Sequence, residues 1–212
     1  MYSTYIFDLD GTLLSTLGDL AASCNHALRT NNMPERSISE VRQFVGNGVR
    51  KLMERAVPQG TDDNATEKAL ADFKAHYSLH SLDTTQPYPD IMRLLNALHA
   101  QGKRVAVVSN KFYAATQELC AHFFGDLVDV AIGEMEGIKR KPAPDTVNEA
   151  LRQLGTTAAD AVYIGDSDVD IDTARNAGMP CISVTWGFRD RDFLLAHGAT
   201  TLVDSPMDIL NM

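Results

Sequence analysis

The sequence predicts an α/β fold: a doubly wound, mostly parallel, Rossmann-like sheet with a small α-helical cap domain inserted after the first strand. Three observations carry this. Short β-branched runs alternate with helical stripes from residue 91 onward; segment 16–82 holds helical patterns and no convincing strand; and polar, chemistry-bearing residues gather where the strands end. Strands joined through helices need right-handed crossovers, which place helices on both faces of a parallel sheet. Residues 1–15 and 83–212 are therefore read as the core domain and 16–82 as the cap.

The elements follow in order. Residues 4–9 run apolar into acid and read as a buried first strand. Leu17, Leu20, Ala21, Cys24 and Leu28 recur at helical spacing. Ser37 followed by Glu40 is a capping-box signature and opens a short helix through Phe44. Gly46-Asn47-Gly48 interrupts it, 49–56 starts another helix, and 62–79 reads as a further one with a polar face. Beyond Pro87 and Pro89, Ile91, Leu94, Leu95 and Leu98 form a helical stripe ended by Gly102. The β-branched run "RVAVV" (104–108) is a strand. A helix from about Tyr113, a strand near 128–132, a helix over 145–154, a strand over 161–164, a helix ending at Gly178 and a strand over 181–184 follow, with 201–203 as a last edge strand.

Composition narrows the class. The chain has 212 residues, 44% of them apolar, and a formal net charge of -9. That charge argues against nucleic acid and anionic membrane surfaces as partners. No apolar run reaches bilayer-spanning length and no secretory signal pattern is visible, so a cytoplasmic protein is expected. Cys24, Cys120 and Cys181 are odd in number and widely spaced, which suits reduced core thiols better than disulfides or zinc. The six histidines show no metal spacing and are read as structural or surface residues.

Ligands of open α/β sheets bind beyond the carboxyl ends of the strands. The first strand ends in Asp8 and Asp10, "RVAVV" ends in Ser109-Asn110-Lys111, the strand at 161 ends in Gly165-Asp166-Ser167-Asp168-Val169-Asp170, and Lys141 sits in a loop before a helix. Two adjacent carboxylates at a buried strand end repel and need compensation. Hard oxygen ligands without histidine or cysteine suit Mg²⁺. A lysine, a hydroxyl and turn N–H groups suit phosphate. The set is that of a phosphoryl-transfer site. In the cap, Arg50 and Lys51 lie in the first turn of the helix after Gly46-Asn47-Gly48, where two cations oppose the helix dipole. They are read either as a solvated basic face or as groups that meet a second anion of the substrate.

The segments "DLDGTLL", "VVSNK", "KRKPAPD" and "GDSDVDIDTARNAG" resemble, in order, the four motifs of the haloacid dehalogenase superfamily of phosphohydrolases, and the place of the helical insertion matches that family's cap. The cap stretch "FVGNGVRKLMERA" resembles the phosphoglycolate phosphatase group. One departure is Ser15-Thr16, where many capped members have an Asp-Ser pair. The resemblance implies Asp8 as nucleophile forming an aspartyl-phosphate and Asp10 as acid, then base. It implies Mg²⁺ on Asp8, Asp166 and the carbonyl of Asp10; Ser109 and Lys141 on the phosphate oxygens; amide contacts from Asn110 and Gly11; and Asp170 in support. The expected substrate is a small phosphorylated metabolite, with 2-phosphoglycolate as a candidate. A phosphosugar mutase of the β-phosphoglucomutase type is the rival within enzymes. A phospho-accepting receiver domain is the rival from another class, but there the phosphoacceptor lies on a later strand.

Overall fold

The computed structural model describes residues 2–212. Strand β1 (Thr4–Phe7) is buried at every position, as a strand covered on both faces must be. The chain passes through the two-residue β2 (Leu14–Ser15) into four helices, α1 (Leu17–Thr30), α2 (Ile38–Phe44), α3 (Gly48–Ala56) and α4 (Asp63–His80), and leaves them through β3 (Gln86–Pro87). Helices and strands then alternate: α5 (Ile91–Ala100), β4 (Arg104–Phe112), α6 (Tyr113–Phe123), β5 (Val130–Glu134), α7 (Asp145–Leu154), β6 (Ala161–Gly165), α8 (Asp168–Asn176), β7 (Cys181–Val184), α9 (Arg191–Ala196) and β8 (Leu202–Val203).

Six strands form one sheet in the order β5-β4-β1-β6-β7-β8, and every pairing is parallel. The winding runs outward from β1 through β4 to β5, then restarts on its other side with β6, so β1 lies at the switch point. Alternate residues feed two separate cores. Tyr5, Phe7, Val107 and Ile164 pack with Ile91, Leu94 and Leu98 of α5 on one face. Ile6, Ala106, Val108 and Tyr163 pack with Val147, Ala150 and Leu151 of α7 on the other. This is the period-two alternation of a strand applied to a sheet with no solvent-facing side.

One strand expectation changes, and one short helix is added. "RVAVV" does not stop at Val108: β4 continues to Phe112, and its register against β5 shifts between Val108 and Phe112. The polar residues 109–111 form the irregular part of an extended strand rather than the loop after one. Helix α9, capped by the Asp190 side chain accepting from the Phe193 N–H at 2.9 Å, has only six residues, too few for a periodic apolar pattern to show.

The chain divides into two compact units, Met1–Leu14 with Pro87–Met212, and Ser15–Gln86. Within the helical unit, Ser37 and Glu40 form the capping box of α2, and Asp62 caps α4 by accepting from the Ala65 N–H at 2.8 Å. The return crossing falls four residues later than the sequence suggests, and Asp19 is the reason. This buried carboxylate in the first turn of α1 accepts from the N–H and hydroxyl of Thr84 (2.9 and 2.5 Å) and of Thr85 (2.9 and 2.7 Å), tying both residues to the helices. No helix among the described residues is long and apolar enough to cross a membrane.

Burial alone would raise the Asp19 pKa, but the hydrogen bonds from Thr84 and Thr85 outweigh it and hold it below the ordinary carboxylate value. A depressed native pKa gives stability that is complete above the unfolded value, near 3.9, and is lost as the pH falls through the native one. Asp19→Ala should therefore destabilise the helical unit at pH 7 by about 2–3 kcal/mol. Urea unfolding should show this loss shrinking below about pH 4, and hydrogen exchange should show the Thr84 and Thr85 amides losing protection.

Candidate active site

The loop after β1 is shaped by its own backbone. The Asp8 N–H donates to the Ile164 carbonyl at 2.9 Å, so Asp8 still lies in the ladder. The Leu9 carbonyl then accepts from the N–H groups of Thr12, Leu13 and Leu14, which closes a tight turn. Gly11 in that turn has φ +90°, and a Cβ there would stand 2.4 Å from an Asp166 oxygen. Glycine is needed both for the backbone conformation and for the close approach of the carboxylate.

Asp8 Oδ1 accepts the Leu9 N–H at 2.7 Å and lies 2.8 Å from Lys141 Nζ. Lys141 also reaches Asp170 Oδ1 at 2.9 Å and the Tyr163 hydroxyl at 3.0 Å, and its side chain is 3% exposed. Asp170 is fully committed. Its Oδ1 also accepts from the Tyr163 hydroxyl at 3.0 Å, and its Oδ2 accepts from the Ser167 N–H and hydroxyl at 3.1 and 2.6 Å, closing a capping box on α8. Gly165 lets Asp170 fold back this far, since a Cβ would meet the Asp170 Cβ at 2.3 Å.

Asp166 follows the end of β6. Its Oδ1 accepts from the Thr12 hydroxyl at 3.2 Å and its Oδ2 from the Phe188 N–H at 2.6 Å. Trp186 pins the same loop by donating from Nε1 to the Thr12 carbonyl at 3.0 Å. The irregular stretch of β4 contributes the other side. The Ser109 hydroxyl accepts the Lys111 N–H at 3.2 Å, Asn110 Nδ2 donates to the Lys141 carbonyl at 3.0 Å, and the buried Asn110 Oδ1 has no hydrogen-bond partner among the described residues. Lys111 Nζ lies 3.0 Å from both oxygens of Asp10.

Four carboxylates thus face two ammonium groups, and the electrostatics register the imbalance. Burial, with Asp170 adding to it, raises the Asp8 pKa well above the carboxylate range. The same two causes push Asp166 up to about 7. Burial works against the Lys141 charge, but Asp170 and Asp8 outweigh it and raise its pKa, so the lysine stays protonated. Carboxylate oxygens of Asp8, Asp166 and Asp170 lie within 4.8 Å of one another. Each Asp170 oxygen already accepts from two donors whereas each Asp166 oxygen accepts from one, so Asp8 and Asp166 are the pair best able to take a cation. The donor set is all hard oxygen, which fits Mg²⁺, and a divalent charge would offset the two excess carboxylates.

The structure therefore brings together Asp8, Asp166, Asp170 and Lys141, with Ser109 and Asn110 on the adjoining strand and Gly11 against Asp166. Arg50 and Lys51 lie on α3 in the helical unit, where Arg50 makes a bidentate ion pair with Glu67 and Lys51 pairs with Glu54 at 2.5 Å. Three contributors escape a sequence reading. Lys111 holds Asp10, Tyr163 bridges Lys141 and Asp170, and the Phe188 N–H holds Asp166. Gly187 between two aromatic residues was the available signal for the last: a Cβ there would lie 2.3 Å from the Asp166 Cβ and 2.5 Å from the Gly11 carbonyl.

Residues 5–184 match the family profile described as haloacid dehalogenase-like hydrolase. The chain belongs to the haloacid dehalogenase-like hydrolase family. It is 35% identical to a phosphoglycolate phosphatase of Cereibacter sphaeroides over 97% of this chain and 96% of that one. It is 31% identical to a phosphoglycolate phosphatase of Aquifex aeolicus over 86% and 84% of the two chains. A solved structure from Lactobacillus delbrueckii subsp. bulgaricus, whose phosphoglycolate phosphatase name is provisional, superposes with a TM-score of 0.94 at 36% identity, covering 98% of this chain and 96% of that one.

For this haloacid dehalogenase-like hydrolase, the seat of Asp166 gives a direct test. Gly187→Ala must displace the Asp166 carboxylate or the Gly11 carbonyl. Calorimetric titration with Mg²⁺ should show at least about tenfold weaker binding, with the thermal unfolding midpoint little changed.

Proposed function

We propose that this protein is a Mg²⁺-dependent phosphomonoester hydrolase that works through an aspartyl-phosphate on Asp8. Its substrate is a small phosphorylated metabolite, for which the names of its relatives offer 2-phosphoglycolate. The observation that carries the reading is the division of the Asp8–Asp10 pair between two lysines: Lys141 holds the first carboxylate and Lys111 the second. Two acids two residues apart are thereby given separate environments, as a nucleophile and an acid–base group require.

In the first step an Asp8 carboxylate oxygen attacks phosphorus, the bond to the ester oxygen breaks, and Asp10 gives its proton to the departing alkoxide. In the second, Asp10 takes a proton from water as that water attacks phosphorus. The bond to Asp8 breaks, phosphate leaves, and Asp10 is again protonated. Lys141 and Ser109 bind the non-bridging phosphate oxygens, with N–H groups of Gly11 and Asn110. A divalent cation held by Asp8, Asp166 and the Asp10 carbonyl would supply the charge that lets one anion approach another. Arg50 and Lys51 would join the substrate site only by releasing Glu67 and Glu54.

Asp8→Asn should reduce phosphate release from any phosphomonoester at least about 10⁴-fold while circular dichroism stays that of the parent. Near-parental turnover would refute the covalent route. Asp10→Asn should spare the first step with aryl phosphates, whose leaving groups need little protonation. The phosphoenzyme should then accumulate, and intact mass should show one added phosphoryl group.

A further inference from the structure

We infer that Lys111 is the residue that selects the leaving group: it favours phosphomonoesters whose alcohol carries a carboxylate one carbon from the ester oxygen. The inference rests on the reading of Asp10 as the acid–base group. The Lys111 side chain is 2% exposed, whereas that of Asp10 is 17% exposed, so the pair is reached from the Asp10 side. Burying an ammonium group costs several kcal/mol unless charge partners repay it, and a solubilising lysine has no reason to be there.

Its position is tied to the ester oxygen. To protonate that oxygen Asp10 must come within about 2.6–3.2 Å of it. Lys111 Nζ is 3.0 Å from each Asp10 oxygen, so it stands no more than about 6 Å from the ester oxygen. A carboxyl carbon one methylene away is reached by two bonds of about 1.5 Å each, and its oxygens extend further. A carboxylate there falls within reach of Lys111, while an uncharged alcohol gains nothing from it.

Lys111 need not abandon Asp10 to do this. An ammonium group can divide its charge between two carboxylates, as Lys141 does here with Asp8 at 2.8 Å and Asp170 at 2.9 Å. The other cations named for the substrate are less suited. Lys141 is given to the nucleophile, and Arg50 and Lys51 hold glutamates of the helical unit. The competing account makes Lys111 only a counter-ion that orients Asp10. That account predicts equal losses on every substrate; selection predicts unequal ones.

The test compares 2-phosphoglycolate with its carboxamide analogue, which has the same length and no charge. In the parent enzyme kcat/KM should favour the carboxylate by about 10- to 100-fold. Lys111→Gln, which keeps a donor to Asp10 without the charge, should bring the two substrates within about threefold, chiefly through a higher KM for 2-phosphoglycolate. Lys111→Arg should restore most of the preference. Lys111→Met replaces Lys111→Gln if the latter does not fold. An equal loss on both substrates, or an unselective parent enzyme, would overturn the inference. Calorimetry on Asp8→Asn separates this from the hydrolase reading. Adding Lys111→Gln should weaken 2-phosphoglycolate by about 10- to 100-fold and the carboxamide by less than about threefold. If the parent enzyme releases phosphate from no phosphomonoester, the hydrolase reading fails, and this binding comparison still upholds or overturns the role of Lys111.

Discussion

Everything at the site depends on one electrostatic constraint: four carboxylates gathered beyond the ends of two strands with only two lysines among them. Asp8 and Asp170 share Lys141, Asp10 takes Lys111, and Asp166 is left to a hydroxyl and a backbone N–H. Isolated buried carboxylates of this kind would neutralise rather than stay charged. Burial, with Asp170 adding to it, pushes Asp166 up to about 7, in keeping with that crowding. A cation between Asp8 and Asp166 would offset that excess of negative charge. The rest of the fold has to hold the site open against its own repulsion.

The scaffold does so with close backbone approaches. Gly11, Gly165 and Gly187 each stand where a Cβ would collide with Asp166 or Asp170, so the two acids are seated against main chain rather than against side chains that could swing away. The irregularity in β4 serves the same end. A regular strand would alternate Ser109, Asn110 and Lys111 between the two faces of the sheet. The register shift before Phe112 breaks that alternation, and bulges commonly re-aim side chains in this way next to active sites. Ser109, Asn110 and Lys111 are buried polar residues in a strand whose other buried positions are apolar.

Much of this was legible in the sequence because it is written in local patterns. Alternating β-branched and helical runs announced the parallel sheet, Ser37 with Glu40 announced the start of α2, and α7 and β7 fall on the residues their apolar spacing indicated. The acids were legible because Asp8, Asp10 and Asp166 follow apolar strands and Asp170 lies in the first turn of the helix after β6. What escaped has no local pattern. Tyr163 reads as one more apolar position in β6, although its hydroxyl bridges Lys141 and Asp170. The Phe188 N–H is backbone and leaves no trace in side-chain chemistry. Lys111 looked like the polar end of a strand, and only the pairing of β1 with β4 brings it to Asp10. The crossing after residue 86 was hidden in the same way, since the bonds from Thr84 and Thr85 go to Asp19, 65 and 66 residues earlier.

Trapping the phosphoryl group on the protein tests most directly whether Asp8 carries it in turnover. The parent enzyme would be mixed with a ³²P-labelled phosphomonoester and Mg²⁺, quenched in acid within one turnover and divided: one portion digested at low pH to map the label, the other reduced with borohydride, which expels the phosphate, and mapped by mass spectrometry. The label should be stable in acid, lost in alkali and carried by the peptide containing Asp8, and the reduced portion should show homoserine at position 8. Label on another residue, or rapid turnover with no protein-bound label at any quench time, would contradict that role for Asp8.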